Sequence, residues 1–469
     1  MLRKCYSHQV PDPIFSIDVL VNRVYIVKSA RLVAAVQKNH KCISFDPFLT
    51  AAANRMAGIR GPGLKLLQEC RSGGHDLNNK VLHAMTHSLL GKGLDYMNST
   101  MLSKMEPLID GLVNTTNISL DLHGWCRHVI TTASTEAIWG SQNPFRSEKT
   151  VQNFWYFESH LSVLLAKVLP ALTARKTYLA RENVVQAMLE FSRKGGYEDE
   201  HCSDLAISRW KTQKENGATD LDIARLETAL NVGVLSNTVP STFWTIFEIC
   251  SRPELLQAIR SEIEQNALRV DPSTNLHTID LGCLRARCPL LVSAFQEVLR
   301  THSNGAPTRM IYEDVVLDNS YLLKAGSVLQ MPAPAINNEL STWGPEGKKF
   351  NPSHFDKGVS GTDHRDRASG KPRATSYMSF GASPNLCPGR HFAAAEVLSL
   401  VAMLVMRVDI KPTKGQWWTP RLNAWAIAAS MTPPIEEFPV TIHPRAGTED
   451  VKWSYSVQEG DSRFSLITG

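Results

Sequence analysis

The sequence predicts a mainly α-helical fold with a small β part. Long segments with apolar residues at helical spacing fill residues 30–268, and 221–249 is the clearest of them. Short strand-like runs precede this region at 15–27 and follow it at 310–332. We find no internal repeat, so we expect residues 1–469 to form one large helical domain with minor sheets.

The bulk composition excludes several classes of protein. A hydrophobic fraction of 43% and a charged fraction of 20% indicate an ordinary globular core. The formal net charge of +5 is small for 469 residues and gives no argument for a nucleic-acid partner. No run of eighteen uncharged apolar residues occurs, so the sequence predicts no membrane-spanning segment. The nine cysteines form no CxxC pair, which favours reduced thiols over a zinc site.

Turn-forming residues and prolines predict short strands and helices on both sides of the long helical region. A first hairpin is predicted with its turn at Asn22–Arg23. After a helix at 289–301, further turns are predicted at Asp318–Asn319 and Ala325–Gly326. Pro388 and Gly389 mark the start of an apolar helix that reaches about residue 408.

The segment Phe380-Gly-Ala-Ser-Pro-Asn-Leu-Cys387-Pro-Gly389-Arg has the features that a metal-binding thiolate needs. Such a sulfur needs an open loop, peptide N–H groups directed at it and protection from water. Gly381 and Gly389 permit tight turns, and Phe380 is suited to shield the sulfur. A helix that begins just after Cys387 favours negative charge on the sulfur.

This segment resembles the haem-binding signature of cytochromes P450, in which a Phe and a Gly precede a Cys-x-Gly at fixed spacing. The resemblance implies the cytochrome P450 fold, haem b as cofactor and Cys387 as the axial ligand of the iron, with Phe380 and Gly389 beside it. Ser383 stands where the signature has Gly, and Asn385 stands where a basic residue usually reaches a haem propionate.

Other positions match the family in order and spacing. Glu297 and Arg300 share one helix face and resemble the family's ExxR pair, which is implied to brace the loop behind the haem. His354 takes the place of an arginine that usually contacts this glutamate, so it can donate a hydrogen bond but lacks the guanidinium fork. Arg309 matches a position that pairs with a haem propionate.

The long helix at 221–249 contains a polar turn before Pro240. Proline removes one backbone N–H and is expected to kink the helix there. Most family members carry an acid followed by threonine in this turn to deliver protons to bound dioxygen, whereas Ser236 and Asn237 occupy those places here, with Thr238 next. The run is similar to the corresponding helix of sterol 7α-hydroxylases and prostacyclin synthase, and of fungal enzymes of secondary metabolism.

The resemblance implies a monooxygenase that oxidises an apolar small molecule, terpenoid, steroid or polyketide-like, with electrons from NADPH through a cytochrome P450 reductase. Asn237, with Thr238 or Ser236, is implied to order water or substrate. Two alternatives stay open: a reductase-independent haem-thiolate isomerase or dehydratase, and a non-catalytic haem-binding relative. The resemblance implies a location on the cytosolic face of the endoplasmic reticulum. We expect this chain to lack the family's usual N-terminal membrane anchor, and peripheral membrane contact is compatible with it.

Overall fold

The computed structural model describes residues 12–19, 22–68, 77–114, 118–165, 174–355, 374–426, 429–448, 451–458, 463, 464 and 466. Within them the helices are α1 (Ala30–Lys38), α2 (Asp46–Ala52), α3 (Gly61–Leu66), α4 (Leu77–Ser88), α5 (Gly91–Val113), α6 (Leu122–Trp139), α7 (Glu148–Ser159), α8 (Leu161–Leu165), α9 (Arg175–Arg193), α10 (Asp204–Glu215), α11 (Asp220–Cys250), α12 (Pro253–Asn266), α13 (Leu281–Arg287), α14 (Pro289–His302), α15 (Ala333–Ile336), α16 (Leu340–Trp343) and α17 (Arg390–Arg407).

The strands are β1 (Ile14–Val19), β2 (Asn22–Val27), β3 (Ile43–Ser44), β4 (Ile118–Asp121), β5 (Leu268–Asp271), β6 (Leu276–Asp280), β7 (Thr308–Ile311), β8 (Val315–Leu317), β9 (Tyr321–Leu323), β10 (Val328–Gln330), β11 (Gly381–Ala382), β12 (Asn385–Leu386), β13 (Val408–Pro412), β14 (Pro439–Pro444) and β15 (Lys452–Ser456). Among the described residues no helix has both the length and the apolar character that a membrane crossing requires.

The chain forms two compact units. The first unit comprises residues 1–51, 293–387 and 466–469, and the second comprises 52–292 and 388–465. The first unit contains a five-stranded sheet in the order β1-β2-β10-β7-β3, in which β10 runs parallel to β2 and antiparallel to β7. Its core is apolar, with Val27, Leu32 and Leu329 fully buried. This sheet carries Arg309 on β7.

A buried ion pair on α14 organises the rest of the first unit. Both carboxylate oxygens of Glu297 accept hydrogen bonds from Arg300, at 2.7 Å from Nε and 2.6 Å from Nη2, and both side chains are fully buried. Arg300 also donates to the peptide oxygens of Asn337, Gly347 and Lys349. A buried guanidinium is stable only when its donors are satisfied, and here one residue satisfies them while joining several separate segments.

The second unit is helical around α11. This helix begins with a capping box, in which Thr219 Oγ1 accepts from the Asp222 N–H while the Asp222 carboxylate accepts from the Thr219 N–H. It packs against α6, α9 and α17. Two three-stranded sheets, β13-β14-β4 and β15-β6-β5, complete this unit.

Helix α17 is buried along nearly its whole length, and it carries an acidic residue into the core. Glu396 is fully buried, and Ser134 Oγ on α6 donates to its Oε1 at 2.6 Å. Its Oε2 has no hydrogen-bond partner within the described part of the chain. Burial therefore raises the pKa of Glu396 to about 8, which keeps the carboxyl protonated near neutral pH.

The structure confirms the predicted fold class and most of the predicted helices. The predicted helix at 221–249 is observed as α11, and turns occur at Asp318–Asn319 and at Gly326, with positive φ at all three residues. The predicted turn at Asn22–Arg23 is wrong, because both residues belong to β2. Their exposed positions at the strand start suit polar side chains, and Arg23 forms an ion pair with Asp18 across the hairpin at 3.0 Å.

Replacement of Arg300 by lysine tests the brace on α14. Lysine keeps the charge but cannot make the forked bond to Glu297 or reach three peptide oxygens together, so we expect the free energy of unfolding to fall by roughly 3 kcal/mol. The matched control is Arg23→Lys in the exposed Arg23–Asp18 pair, where we expect a change below about 0.5 kcal/mol. Urea midpoints of the haem-loaded proteins measure both effects, and equal midpoints for the two variants would contradict the role of Arg300.

Replacement of Glu396 by glutamine tests the protonated carboxyl in the core. Because the folded pKa of about 8 lies above the ordinary 4.5, the unfolded chain releases this proton first as the pH rises. The contribution of Glu396 to stability is therefore complete below about pH 4.5 and is lost towards pH 8, at up to roughly 1.4 kcal/mol per pH unit. Glu396→Gln removes this dependence, whereas the exposed control Glu215→Gln keeps it. Denaturant unfolding curves give the free energy of unfolding from pH 5 to pH 8. Parallel pH profiles of this quantity for wild type and Glu396→Gln would refute the prediction.

Candidate functional site

The cysteine loop, residues 380–387, is a tight two-stranded turn in the first unit. Strands β11 and β12 pair antiparallel, and the peptide N–H of Cys387 donates to the carbonyl oxygen of Phe380 at 2.9 Å. Gly381 has φ of +94°, and a Cβ atom there would lie 2.9 Å from the carbonyl oxygen of Asn385. Only glycine fits this position, because a side chain would combine strain with a backbone clash. The loop thus holds Cys387 at a defined place.

Cys387 differs from the other cysteines of the described residues in its exposure. It is exposed, whereas the others are buried or half-buried. Burial raises the pKa of Cys202, Cys250 and Cys288 to about 12, which suppresses the thiolate form at neutral pH. Among the described cysteines, Cys387 is the one that is exposed.

The segment just before the loop is fastened to α14. Tyr377 Oη donates to the carbonyl oxygen of Gln296 at 3.0 Å, and Ser379 Oγ donates to that of Leu299 at 3.0 Å. The peptide N–H of Met378 donates to Asn337 Oδ1 at 2.9 Å. The helix that carries Glu297 and Arg300 therefore also holds the segment that leads to Cys387.

His354 lies where the sequence analysis expected it. Its Nδ1 is 3.0 Å from Glu297 Oε1, and the peptide N–H of Asn351 donates to the same oxygen at 2.8 Å. The indole of Trp343 packs against the His354 ring and against the Arg300 guanidinium. His354 thus contacts Glu297 through one ring nitrogen, whereas the arginine that is usual at this position would offer a guanidinium fork.

Arg309 links the main sheet of the first unit to the cysteine loop. Its guanidinium donates to the carbonyl oxygen of Ala382 within the loop and to that of Thr308, each at 3.0 Å, and lies over the ring of Phe45. No carboxylate of the described residues accepts a hydrogen bond from it, and burial lowers its pKa to about 10 against the charge of Asp46. A buried cation bonded to neutral carbonyls suits an anionic ligand.

The polar turn of α11 lies in the second unit, as does Gly389, the N-cap residue of α17. The helix continues through Pro240, which leaves the carbonyl of Ser236 without its usual peptide donor. Thr238 Oγ1 donates to the carbonyl oxygen of Val234 at 2.7 Å. Asn237 Oδ1 accepts from the peptide N–H groups of Ser430 and Met431, at 2.7 and 3.2 Å.

Sequence reasoning missed a carboxyl in this region. Glu158, on α7, is buried and lies near Ser236. The Ser236 hydroxyl forms no hydrogen bond with a described residue. Burial raises the pKa of Glu158, although Ser236 and the charge of Arg127 oppose this effect. Residues 158 and 236 share no sequence pattern, so only the fold could reveal the pair.

These residues fit a haem group. Cys387 is exposed and its loop is closed by a hydrogen bond, so its sulfur would suit as the ligand that holds the haem iron. Arg309 is a buried cation that lacks a carboxylate hydrogen bond within the described chain, and a haem propionate would supply one. Phe380 is half-buried at the start of the loop. Cys387, Phe380, Arg309, Glu297 and Arg300 all belong to the first unit.

Comparison with known proteins agrees with this chemistry. The family model for cytochrome P450 matches residues 2–436. A cytochrome P450 monooxygenase from Hypoxylon pulicicidum, nodJ, is 43% identical over 462 residues, which cover 97% of this chain and 88% of that protein. A cytochrome P450 monooxygenase from Penicillium decumbens, calL, is 32% identical over 244 residues, or 50% of this chain and 44% of that protein.

A mammalian relative extends the comparison. The 25-hydroxycholesterol 7-alpha-hydroxylase of Rattus norvegicus is 24% identical over 392 residues, which cover 80% of this chain and 90% of that protein. The match thus includes the sterol-hydroxylase branch that the α11 sequence resembles. The chain belongs to the cytochrome P450 family of monooxygenases, which bind haem b and receive their electrons from a reductase partner.

Proposed function

We propose that this monooxygenase inserts one oxygen atom into an apolar, fused-ring molecule of the terpenoid or steroid kind in a biosynthetic pathway of secondary metabolism. The exposed Cys387 in its braced loop is the observation that carries the proposal. The fungal monooxygenases at 43% and 32% identity support the reaction class and the setting in secondary metabolism. A more distant relative is named for its action on 25-hydroxycholesterol, which supports the steroid kind of substrate. A polyketide-like substrate is the less favoured member of the same apolar class.

In this proposal each residue has a defined task. When bound, the haem supplies the chemistry that activates dioxygen. Cys387 would hold the iron through its sulfur, and Phe380 and Gly389 would shape the loop on either side of it. Arg309 would hold a propionate, and Glu297 and Arg300 would keep the loop in place.

The polar turn of α11 is proposed to manage protons and water. The hydroxyls of Ser236 and Thr238, with the amide group of Asn237, order water or substrate. Glu158 is a group able to hold a proton beside Ser236 Oγ, because burial raises its pKa. Most family members carry an acid in the turn that corresponds to α11. In this proposal Glu158 on α7 takes the place of that acid.

The proposal extends to partners and location. An NADPH-dependent cytochrome P450 reductase is the proposed electron donor, and the cytosolic face of the endoplasmic reticulum is the proposed location. The proposed electron donor and the proposed location are both supported by membership of the family.

Replacement of Cys387 by serine tests the axial ligand. Serine removes the sulfur while keeping a similar volume, so we expect loss of the red-shifted Soret band that ferrous family members show with carbon monoxide. Cys283→Ser, at a half-buried cysteine outside the loop, is the matched control and should keep the band. Spectra of the reduced proteins under carbon monoxide give the answer. An unchanged band in Cys387→Ser would exclude this residue as ligand.

Dependence on reductase tests the reaction class. We expect product from a panel of terpenoid and steroid substrates only when NADPH, reductase and dioxygen are all present. Mass spectrometry should detect a gain of one oxygen atom, taken from labelled dioxygen. Conversion of an organic peroxide to an isomer without NADPH or reductase, with no oxygenated product, would instead establish the isomerase alternative.

A further inference from the structure

The segment 451–458, which we call the strap, joins a sheet and two helices of the second unit. Its strand β15 runs parallel to β6 over five residue pairs, and β6 pairs in turn with β5. The strap also bonds α5 and α17. All of these elements belong to the second unit. The strap lies beyond residue 436, where the match to the family model ends.

Tyr455 links the strap to both helices. Its peptide N–H donates to Glu106 Oε1 on α5 at 2.7 Å, and its hydroxyl donates to the carbonyl oxygen of Ser399 on α17 at 2.8 Å. Ser399 is fully buried. Burial raises the pKa of Tyr455, so its hydroxyl remains a hydrogen-bond donor throughout the neutral range. One residue of the strap thus bonds α5 and α17 at once.

A second anchor joins the strap to β6. Asp280 is fully buried at the end of β6, and its Oδ2 accepts from Ser456 Oγ and Gln458 Nε2, each at 3.0 Å. Arg269 Nη2 donates to the same oxygen at 2.8 Å, and the peptide N–H of Cys283 donates to Oδ1 at 2.8 Å. A buried carboxylate is stable when its oxygens have donors, and the strap supplies two of these four donors.

Trp453 adds an apolar contact to these hydrogen bonds. Its buried ring meets the His277 ring edge-on, with centroids 4.9 Å apart, and also lies against the guanidinium of Arg407 on α17. Arg407 forms an ion pair with Asp110 on α5 at 2.7 Å. The contacts of the strap with α17, at Ser399 and Arg407, are therefore separated by about 12 Å along the helix.

We infer that the strap is a conformational lock, which must leave β6 before α17 can open, so that both elements open together. Tyr455 and Ser456 are adjacent in the sequence, and their rigid peptide linkage means that a backbone movement that breaks one anchor displaces the other. Elements joined in this way open as one cooperative unit. In the sequence α17 begins at Arg390, three residues after Cys387. The lock therefore acts on the helix that continues the cysteine loop.

Hydrogen exchange of the full-length, haem-loaded protein tests the lock. Mass spectrometry measures the exchange rates of peptides from α17 and from β6 under native conditions, where slow amides exchange through local openings. Tyr455→Phe removes the hydroxyl that bonds α17, and Ser456→Ala removes a hydroxyl that bonds Asp280. The matched control is Tyr96→Phe, because the Tyr96 hydroxyl on α5 donates to the carbonyl oxygen of His201, a residue outside the strap, at 3.2 Å.

We expect each strap variant to speed the exchange of both α17 and β6 by roughly fivefold, because the loss of one hydrogen bond shifts the opening equilibrium by about that factor. Tyr455→Phe should thus act on β6 as well as on α17. Ser456→Ala should act on α17, although the Ser456 hydroxyl bonds β6 and not α17 within the described chain. Tyr96→Phe should leave both rates within about twofold of wild type.

Three results would contradict the lock. Faster exchange confined to α17 in Tyr455→Phe, or confined to β6 in Ser456→Ala, overturns the inference, because it shows two independent contacts. Rates within about twofold of wild type in both strap variants also overturn it, as does an equal effect of Tyr96→Phe. Should Tyr455→Phe fail to fold, Ser456→Ala decides alone, since unchanged α17 exchange in that variant contradicts a shared opening.

Discussion

The first unit depends on one buried ion pair. Glu297 and Arg300 are both fully removed from water, which is costly for isolated charges and tolerable here because each charge is neutralised and multiply hydrogen-bonded. The pair does more than neutralise itself. Arg300 reaches the peptide oxygens of Asn337 and Lys349, and Glu297 accepts from Asn351 and His354. Segments up to 57 residues away in sequence are thereby fixed to one helix.

The position of Cys387 follows from this arrangement by short steps. Helix α14 holds Tyr377 and Ser379 through two of its carbonyl oxygens, and these residues lead directly into the cysteine loop. Gly381 and the Cys387 N–H then close the loop on itself. A sulfur that must hold a metal at one fixed point requires such support, since a ligand loop without it would sample many geometries. Cys387 is exposed, whereas the Glu297–Arg300 pair is fully buried.

The sequence allowed prediction of the fold class, the cysteine loop and the brace, because each leaves a local signal. Helical spacing revealed α11, glycines bracketed Cys387, and the i, i+3 spacing paired Glu297 with Arg300. Contacts without such a signal were not predictable. Asn237 accepts hydrogen bonds from Ser430 and Met431, which lie 193 and 194 positions later in the sequence. Glu158 lies near Ser236 but belongs to a different helix. The misplaced turn at Asn22–Arg23 has a different cause, since polar residues at an exposed strand start resemble turn formers.

Arg309 has a consequence for how the protein matures. Its guanidinium is buried on carbonyl oxygens of the main sheet and of the cysteine loop, with no carboxylate bonded to it in the described chain. The polypeptide alone therefore keeps a buried positive charge that the charge of Asp46 offsets only in part. In the proposed site, binding of a dianionic porphyrin would relieve that electrostatic penalty, and by mass action the folded form would gain stability with the logarithm of free porphyrin concentration. Cells starved of iron or porphyrin would accumulate a less stable apoprotein that is exposed to proteolysis.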